Sequence, residues 1–124
     1  MKKIIYTSNA PEPIGPYSQA YLCGDTLYCS GQIAIDPKNG NFVEGDIEKQ
    51  TNQVIKNIEQ LLKAAGFDFN DVVKTTCFLS DMADFAKFNE IYAKYFTSNP
   101  ARSCVAAKQL PKKALVEVEI IAIK

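Results

Sequence analysis

The last eleven residues, ALVEVEIIAIK, alternate strictly between two kinds of position. One face of the strand that this period of two predicts is uniformly apolar and consists of Val116, Val118, Ile120 and Ala122. The other face mixes two glutamates with large aliphatic residues: Leu115, Glu117, Glu119, Ile121 and Ile123. We expect the uniformly apolar face to pack against helices.

Two segments show the helical period instead. The first covers residues 46–66, with apolar or small residues at spacings of three and four, a capping Asp46 and a terminating Gly66. The second runs from about residue 82 to residue 96, with Asp81 as its cap. Asn89 stands out as a polar residue on the apolar stripe of this second helix. A buried amide there needs a partner, either a backbone group or something with a function.

The remaining segments read as short strands, and no linker or repeat interrupts them. Predicted strands cover residues 3–6, 19–23, 26–35, 71–80, 102–107 and the C-terminal stretch. Between the first two lies a loop stiffened by Pro11, Pro13 and Pro16, which presents Tyr17. The pattern predicts a single α+β domain spanning residues 1–124, with two helices on a sheet.

Two helices can cover only one face of a sheet of this size. The other face carries aliphatic side chains that need a cover of their own, so the pattern favours an oligomer. The two glutamates, Glu117 and Glu119, would then lie near the edge of the interface or in a cleft there.

Composition narrows the possible partners. The 124 residues hold 14 Lys and Arg against 14 Asp and Glu, which gives a formal net charge of zero. Nucleic-acid binders usually carry an excess of positive charge, so a nucleic-acid partner is not expected. No apolar run is long enough to span a membrane and no signal-type segment follows Met1, so we expect a cytoplasmic protein without a membrane partner.

The chain contains no histidine. This excludes Ser-His-Asp and Cys-His catalysis and the usual zinc sites, and it leaves acid–base chemistry to Asp, Glu, Lys, Tyr and Cys. The cysteines show no metal-type spacing, and no metal is expected. We predict that Cys23, Cys29 and Cys77 are buried and reduced, and that Cys104 is not a nucleophile because no group is visible that would lower its pKa.

Arg102 opens the short strand in PARSCVAAKQLP and needs an anionic partner, because a guanidinium keeps its charge in proteins. If Pro111 turns the chain directly into the last strand, these two strands are neighbours, and Glu117 or Glu119 could pair with Arg102. The alternative is a guanidinium held ready for the carboxylate of a substrate. The residues alone leave both possibilities open.

The stretch PARSCVAAKQLPKKALVEVEI closely resembles the signature of the RidA (YjgF) family. The resemblance extends, in the same order, to IGPYSQA (14–20), SGQI (30–33) and FNEIYAKYF (88–96). It implies a chorismate-mutase-like α+β fold, with a mixed sheet backed by two helices on one face. It also implies a homotrimeric ring with sites in the clefts between subunits.

The resemblance further implies an enzyme that needs no cofactor. Family members hydrolyse reactive 2-imino acids and their enamine tautomers, 2-aminoacrylate and 2-aminocrotonate, which pyridoxal-phosphate dehydratases release. The products are 2-keto acids and ammonia. By similarity, Arg102 would hold the substrate carboxylate and Glu117 would position or activate water. The other implied site residues line the pocket or offer backbone groups: Tyr17, Ser30, Gly31, Asn89 and Cys104.

Two alternatives to this enzyme stay open. One is a regulatory trimer that binds a keto acid through Arg102 without turnover. The other is a ribonuclease or translation inhibitor, which the zero net charge and the missing histidine disfavour. For a site shared between chains, Arg102 and Glu117 could come from one chain, since they are close in sequence, whereas Tyr17 lies on a loop positioned to reach in from another.

Overall fold

The computed structural model describes all of residues 1–124 and contains six strands and two α-helices. In chain order the elements are β1 (Lys2–Ile5), β2 (Ala20–Cys23), β3 (Thr26–Gln32), α1 (Ile47–Ala65), β4 (Val72–Leu79), α2 (Phe85–Tyr95), β5 (Ala101–Ala106) and β6 (Val116–Ile123). Single 3₁₀ turns at Phe69–Asp71, Met82–Asp84 and Pro111–Lys113 join some of them. Neither α-helix combines the length and the apolar character that crossing a membrane requires.

The strands form one mixed sheet in the order β1-β2-β3-β6-β4-β5. Only β4 and β5 run parallel, and every other neighbouring pair is antiparallel. Strand β6 is central, and the face that the sequence predicts to be apolar is buried at every position, Val116, Val118, Ile120 and Ala122. The predicted α+β architecture, with both helices on one side of the sheet, is confirmed.

The first helix begins and ends where local chemistry places it. The Asp46 side chain accepts a hydrogen bond from the Lys49 amide at 2.9 Å, and Gly66 ends α1 with φ of 81°, in the left-handed region that glycine favours. The second helix starts later than predicted. Asp81 caps the 3₁₀ turn Met82–Asp84 by accepting from the Ala83 amide, and α2 follows at Phe85.

Strand β3 is shorter than predicted and ends at Gln32 rather than at Ile35. The pairing of β3 with β6 shifts between Cys29 and Gln32, which is a bulge. Beyond it, the carbonyls of Ile33 and Ile35 leave the ladder and accept hydrogen bonds from the Asn57 Nδ2 of α1, at 3.2 and 2.9 Å. Hydrogen bonds from the Asn57 side chain of α1 therefore take the place of those that a neighbouring strand would make to this segment.

The expectation that β5 and β6 are neighbours is wrong. Strand β4 lies between them, so that β5 forms the edge of the sheet and is exposed along most of its length. Residues 107–115 carry the chain around the end of β4, where Ala107 donates to the Leu79 carbonyl and Ser80 donates to the Leu115 carbonyl. The connection thus passes a whole strand before β6 begins.

The side of the sheet without helices, which we call the open face, carries exposed apolar side chains. Tyr21, Tyr28, Val105 and Ile123 are between 38% and 51% exposed there. The registers of β2, β3 and β6 place Tyr21, Tyr28 and Ile121 side by side across three strands. A surface of this kind is typical of an association site.

We expect Asn57→Leu to lower the free energy of unfolding by about 1–3 kcal/mol, because it leaves the Ile35 carbonyl without a donor and removes one of the two donors to the Ile33 carbonyl, which keeps the Ile35 amide. Asn57 is 1% exposed, and its Oδ1 also accepts from Gln53. Urea unfolding at one fixed protein concentration measures the change. Asn52→Leu, at an exposed position of the same helix, is the matched control and should stay within about 0.5 kcal/mol of the unsubstituted protein. Equal stability of the two variants would contradict this account of the segment.

Candidate functional site

Arg102 lies exposed on the edge strand, on the same side of the sheet as the helices. Its Nη1 donates to the Asn89 Oδ1 of α2 at 2.7 Å. The only ion pairs of the chain join Lys63 to Glu59 and Lys87 to Glu90, both along helix surfaces. The alternative of an ion pair between Arg102 and Glu117 or Glu119 within one chain is therefore wrong.

Two aromatic rings complete the surroundings of this guanidinium. Its Cζ lies 4.9 Å from the centroid of the Tyr92 ring and 5.4 Å from that of the Phe85 ring. Both are distances at which a cation is attracted to a ring face. An amide and two rings orient the guanidinium without neutralising it, so its charge stays available to an anion at the shallow cavity that Asn89, Tyr92 and Arg102 line.

Cys104 follows Arg102 by two residues, and its thiol is half-buried. Burial raises the pKa of the Cys104 thiol, and the nearby Arg102 charge only partly opposes this. Burial likewise raises the pKa of both Cys29 and Cys77 to about 12. The prediction that Cys23 is buried is wrong, since it ends β2 beside the turn and is half-buried. No three Cys, Asp or Glu side chains are placed to share a metal ion.

Glu117 lies on the open face, against the bulge of β3. A Cβ added to Gly31 would stand 3.1 Å from the Glu117 Cγ and 2.9 Å from its Cδ, and the second distance is nearer than real side chains approach. Glycine at this position therefore lets the Glu117 carboxylate lie where it does against the backbone, and any larger residue would force it to move. Ser30, the neighbouring residue of the bulge, donates from its Oγ to the Ser18 carbonyl at 2.6 Å.

The loop that presents Tyr17 is fixed by hydrogen bonds of the buried side chain of Gln19, a residue that was not among the predicted site residues. Gln19 is 2% exposed, and its Nε2 donates to the Thr7 carbonyl at 3.0 Å and the Pro11 carbonyl at 2.9 Å. Its Oε1 accepts from the Thr7 amide. The signal available in the sequence was an amide directly after a proline-rich loop and at the start of a strand. Tyr17 itself is exposed at the rim of a small cavity that Gly31 also lines.

The candidate residues thus form two separate groups. The arginine half consists of Asn89, Arg102 and Cys104, and the glutamate half consists of Tyr17, Ser30, Gly31 and Glu117. Arg102 points toward α2, whereas Glu117 points to the open face, two strands away from β5. Two strand spacings alone amount to about 10 Å. Within one chain, the two halves therefore face opposite sides of the sheet.

The electrostatics of Glu117 differ from those of an ordinary surface glutamate. Burial raises its pKa above the usual 4.5, and the negative charge of Glu119, two residues along the same face, raises it further. A carboxylate with a raised pKa is a stronger proton acceptor than an ordinary one.

Comparisons with known proteins agree with one another over the whole chain. The family described as endoribonuclease L-PSP matches residues 7–124. A RutC family protein of Pyrococcus horikoshii is 57% identical over 125 residues, covering 100% of this chain and 99% of its own. The human 2-iminobutanoate/2-iminopropanoate deaminase is 48% identical over 125 residues, covering 100% and 91%. The structure of Escherichia coli TdcF with bound serine superposes with a TM-score of 0.93 at 38% identity, covering 98% of each chain.

We expect Glu119→Gln to move the titration of Glu117 to lower pH, because it removes the negative charge that disfavours the ionised Glu117. The change should be visible by carboxylate ¹³C NMR, which follows Glu117 directly and needs no substrate. Glu90→Gln removes an exposed charge on α2 and serves as the control. A midpoint of Glu117 that stays unchanged in the Glu119 variant would contradict the coupling.

Proposed function

The chain belongs to the family described as endoribonuclease L-PSP, which includes the RutC and RidA proteins, and on that premise we propose that it hydrolyses reactive 2-imino acids to 2-keto acids and ammonia. Its substrates would be the enamine and imine tautomers of 2-aminoacrylate and 2-aminocrotonate, released in the cytoplasm by pyridoxal-phosphate dehydratases. The protein would thereby limit damage by these metabolites. The name of the human relative, 2-iminobutanoate/2-iminopropanoate deaminase, supports the substrate class.

One observation carries this proposal, namely that Arg102 is oriented but has no carboxylate partner of its own. A guanidinium binds a planar carboxylate through two parallel hydrogen bonds, and every 2-imino acid offers such a group. The Asn89 Oδ1 accepts one hydrogen bond from Nη1, and other N–H groups of the guanidinium remain free to donate to a ligand. The serine in the related TdcF structure carries a carboxylate of the same kind.

We further propose that three chains form a ring in which the arginine half of one chain meets the glutamate half of the next. The opposite orientations of the two halves support this arrangement, because a complete site then requires two chains. The exposed apolar side chains of the open face supply the surface that such a ring would bury.

The chemistry that follows needs neither histidine nor a covalent intermediate. Arg102 holds the substrate carboxylate, and Tyr17, Ser30 and the backbone groups of Gly31 and Cys104 enclose the rest. Glu117 accepts a proton from water as the water oxygen bonds to the imine carbon. Glu117 then gives this proton to the nitrogen of the resulting carbinolamine and accepts the proton of its hydroxyl as the carbon–nitrogen bond breaks, which leaves the keto acid and ammonia. A protonated imine is already electrophilic, so orientation and one base suffice.

The test is to couple the protein to a threonine dehydratase and follow decay of the imine it releases. We expect faster decay with the protein, and Arg102→Lys should lower kcat/KM by about ten- to a hundredfold, because lysine keeps the charge but loses the two-bond fork. Binding of 2-ketobutyrate without faster decay would favour a regulatory protein that senses keto acids. Turnover by the lysine variant at the original rate would return Arg102 to a structural role.

Cleavage of RNA, which the family description names, is not part of this proposal. The charges of the chain balance, and it has no histidine to act as a general acid or base. An RNA-degradation assay on the same preparation separates the two activities.

A shared site also predicts complementation between inactive variants. Arg102→Ala and Glu117→Gln are unfolded together in equal amounts and reassembled. If each cleft takes its arginine from one chain and its glutamate from the next, random mixing makes about a quarter of the clefts fully intact. Activity should then rise to roughly a quarter of the original.

The matched control mixes Arg102→Ala with Asn89→Ala, which both belong to the arginine half. No intact cleft can form in this mixture, so its activity should not exceed the average of the two parents. Native mass spectrometry verifies that mixed assemblies are present. If mixed assemblies are present and the mixture of Arg102→Ala with Glu117→Gln is no more active than the control mixture, Arg102 and Glu117 do not meet across an interface.

A further inference from the structure

The Arg102 guanidinium rests on a tyrosine whose own position is unusually well fixed. Tyr92 is 8% exposed, and the centroid of its ring lies 4.9 Å from the Arg102 Cζ. Phe96, one helical turn further along, stacks on the Tyr92 ring with centroids 4.4 Å apart and an interplanar angle of 27°. The ring therefore has little freedom to tilt.

The hydroxyl end of Tyr92 is anchored as well. Its oxygen lies 2.7 Å from the Thr75 Oγ1, and Thr75 is completely buried. Burial raises the pKa of the Tyr92 phenol, so the phenol stays protonated at neutral pH and the hydrogen bond is kept. A ring held at its hydroxyl and along its face keeps one plane.

The pairing of two strands places the anchor beside the arginine. In the parallel ladder of β4 and β5, Thr75 is the direct partner of Arg102. Both side chains leave the sheet on the helix side, and Tyr92 reaches down from α2 to meet them. The hydroxyl of Thr75 on β4 thus fixes the Tyr92 ring that the guanidinium of Arg102 on β5 contacts.

We propose that Tyr92, anchored by Thr75, is a positioning residue that holds the plane of the Arg102 guanidinium before a ligand arrives. An arginine side chain is flexible, and ordering it at the moment of binding costs affinity. Tyr92 and Asn89 order the Arg102 side chain when the protein folds, so that its guanidinium already faces the ligand before binding. The carboxylate ligand rests on the proposed function, whereas the fixed plane of Arg102 does not.

The first test therefore uses no ligand. ¹⁵N relaxation of the Arg102 Nε reports how rigid the guanidinium is, and we expect an order parameter near that of ordered backbone, about 0.85. In Tyr92→Leu it should fall below about 0.6, the range of flexible groups. Tyr92→Phe keeps the ring but loses the hydroxyl anchor on Thr75, so its order parameter should lie between those of Tyr92→Leu and the unsubstituted protein.

Phe88→Leu is the matched control for damage to the core. Phe88 is completely buried on the same helix and its ring centroid lies 5.6 Å from that of Tyr92, but Arg102 stacks only on Phe85 and Tyr92. It should lower stability yet leave the mobility of Arg102 unchanged. If Arg102 stays equally rigid in folded Tyr92→Leu, or loosens as much in Phe88→Leu, the positioning role is overturned.

The second test asks whether the fixed plane matters for binding. Calorimetry compares 2-ketobutyrate with its uncharged amide, and Tyr92→Leu should weaken binding of the acid by about two- to thirtyfold, the range expected for a lost cation–ring contact. Binding of the amide and binding of the acid to Phe88→Leu should change little. Equal losses for acid and amide would overturn the role of Tyr92 in carboxylate recognition.

The two proposals fail in different ways. If the protein does not turn over imines but Tyr92→Leu still weakens binding of the acid and not of the amide, the deaminase function is excluded and the positioning role stays supported. Normal turnover, with Tyr92→Leu matching the unsubstituted protein in both tests, removes the positioning role and leaves the deaminase function standing.

Discussion

Alternation along β-strands is the constraint on which the rest of this structure depends. Because successive side chains leave a sheet on opposite sides, a residue is committed to the helix layer or to the open face as soon as its register is fixed. Arg102 is committed to the helix layer by its pairing with Thr75, and Glu117 to the open face by the burial of Val116 and Val118. The geometry of the candidate site follows from these two commitments.

Features set by local chemistry could be predicted from the sequence. The faces of β6, the cap at Asp46 and the stop at Gly66 depend on residues within a turn or two of one another, and the structure confirms them. The order of the strands does not depend on local pattern, which is why β4 was not expected between β5 and β6. The end of β3 was missed for the same reason, since Asn57 lies more than twenty residues away from it.

The candidate residues were found through a family signature, but their grouping could not be. Arg102 and Glu117 are close along the chain, but β4 lies between their strands and the two side chains leave opposite faces of the sheet. Tyr92 read as one more apolar position of a helix, because nothing in a periodic pattern indicates that a ring will lie under a cation. Asn89 was noticed as an exception to that pattern, and its partner proved to be the Arg102 side chain rather than a backbone group.

Keeping the two charges on opposite faces also preserves the chemistry of each. Had Arg102 contacted Glu117 within the chain, the pair would have lowered the pKa of the carboxylate and occupied the fork of the guanidinium. The separation seen in the single chain instead leaves the guanidinium of Arg102 free to bind an anion and leaves the pKa of Glu117 raised by burial, so that each group keeps the property that the proposed reaction needs.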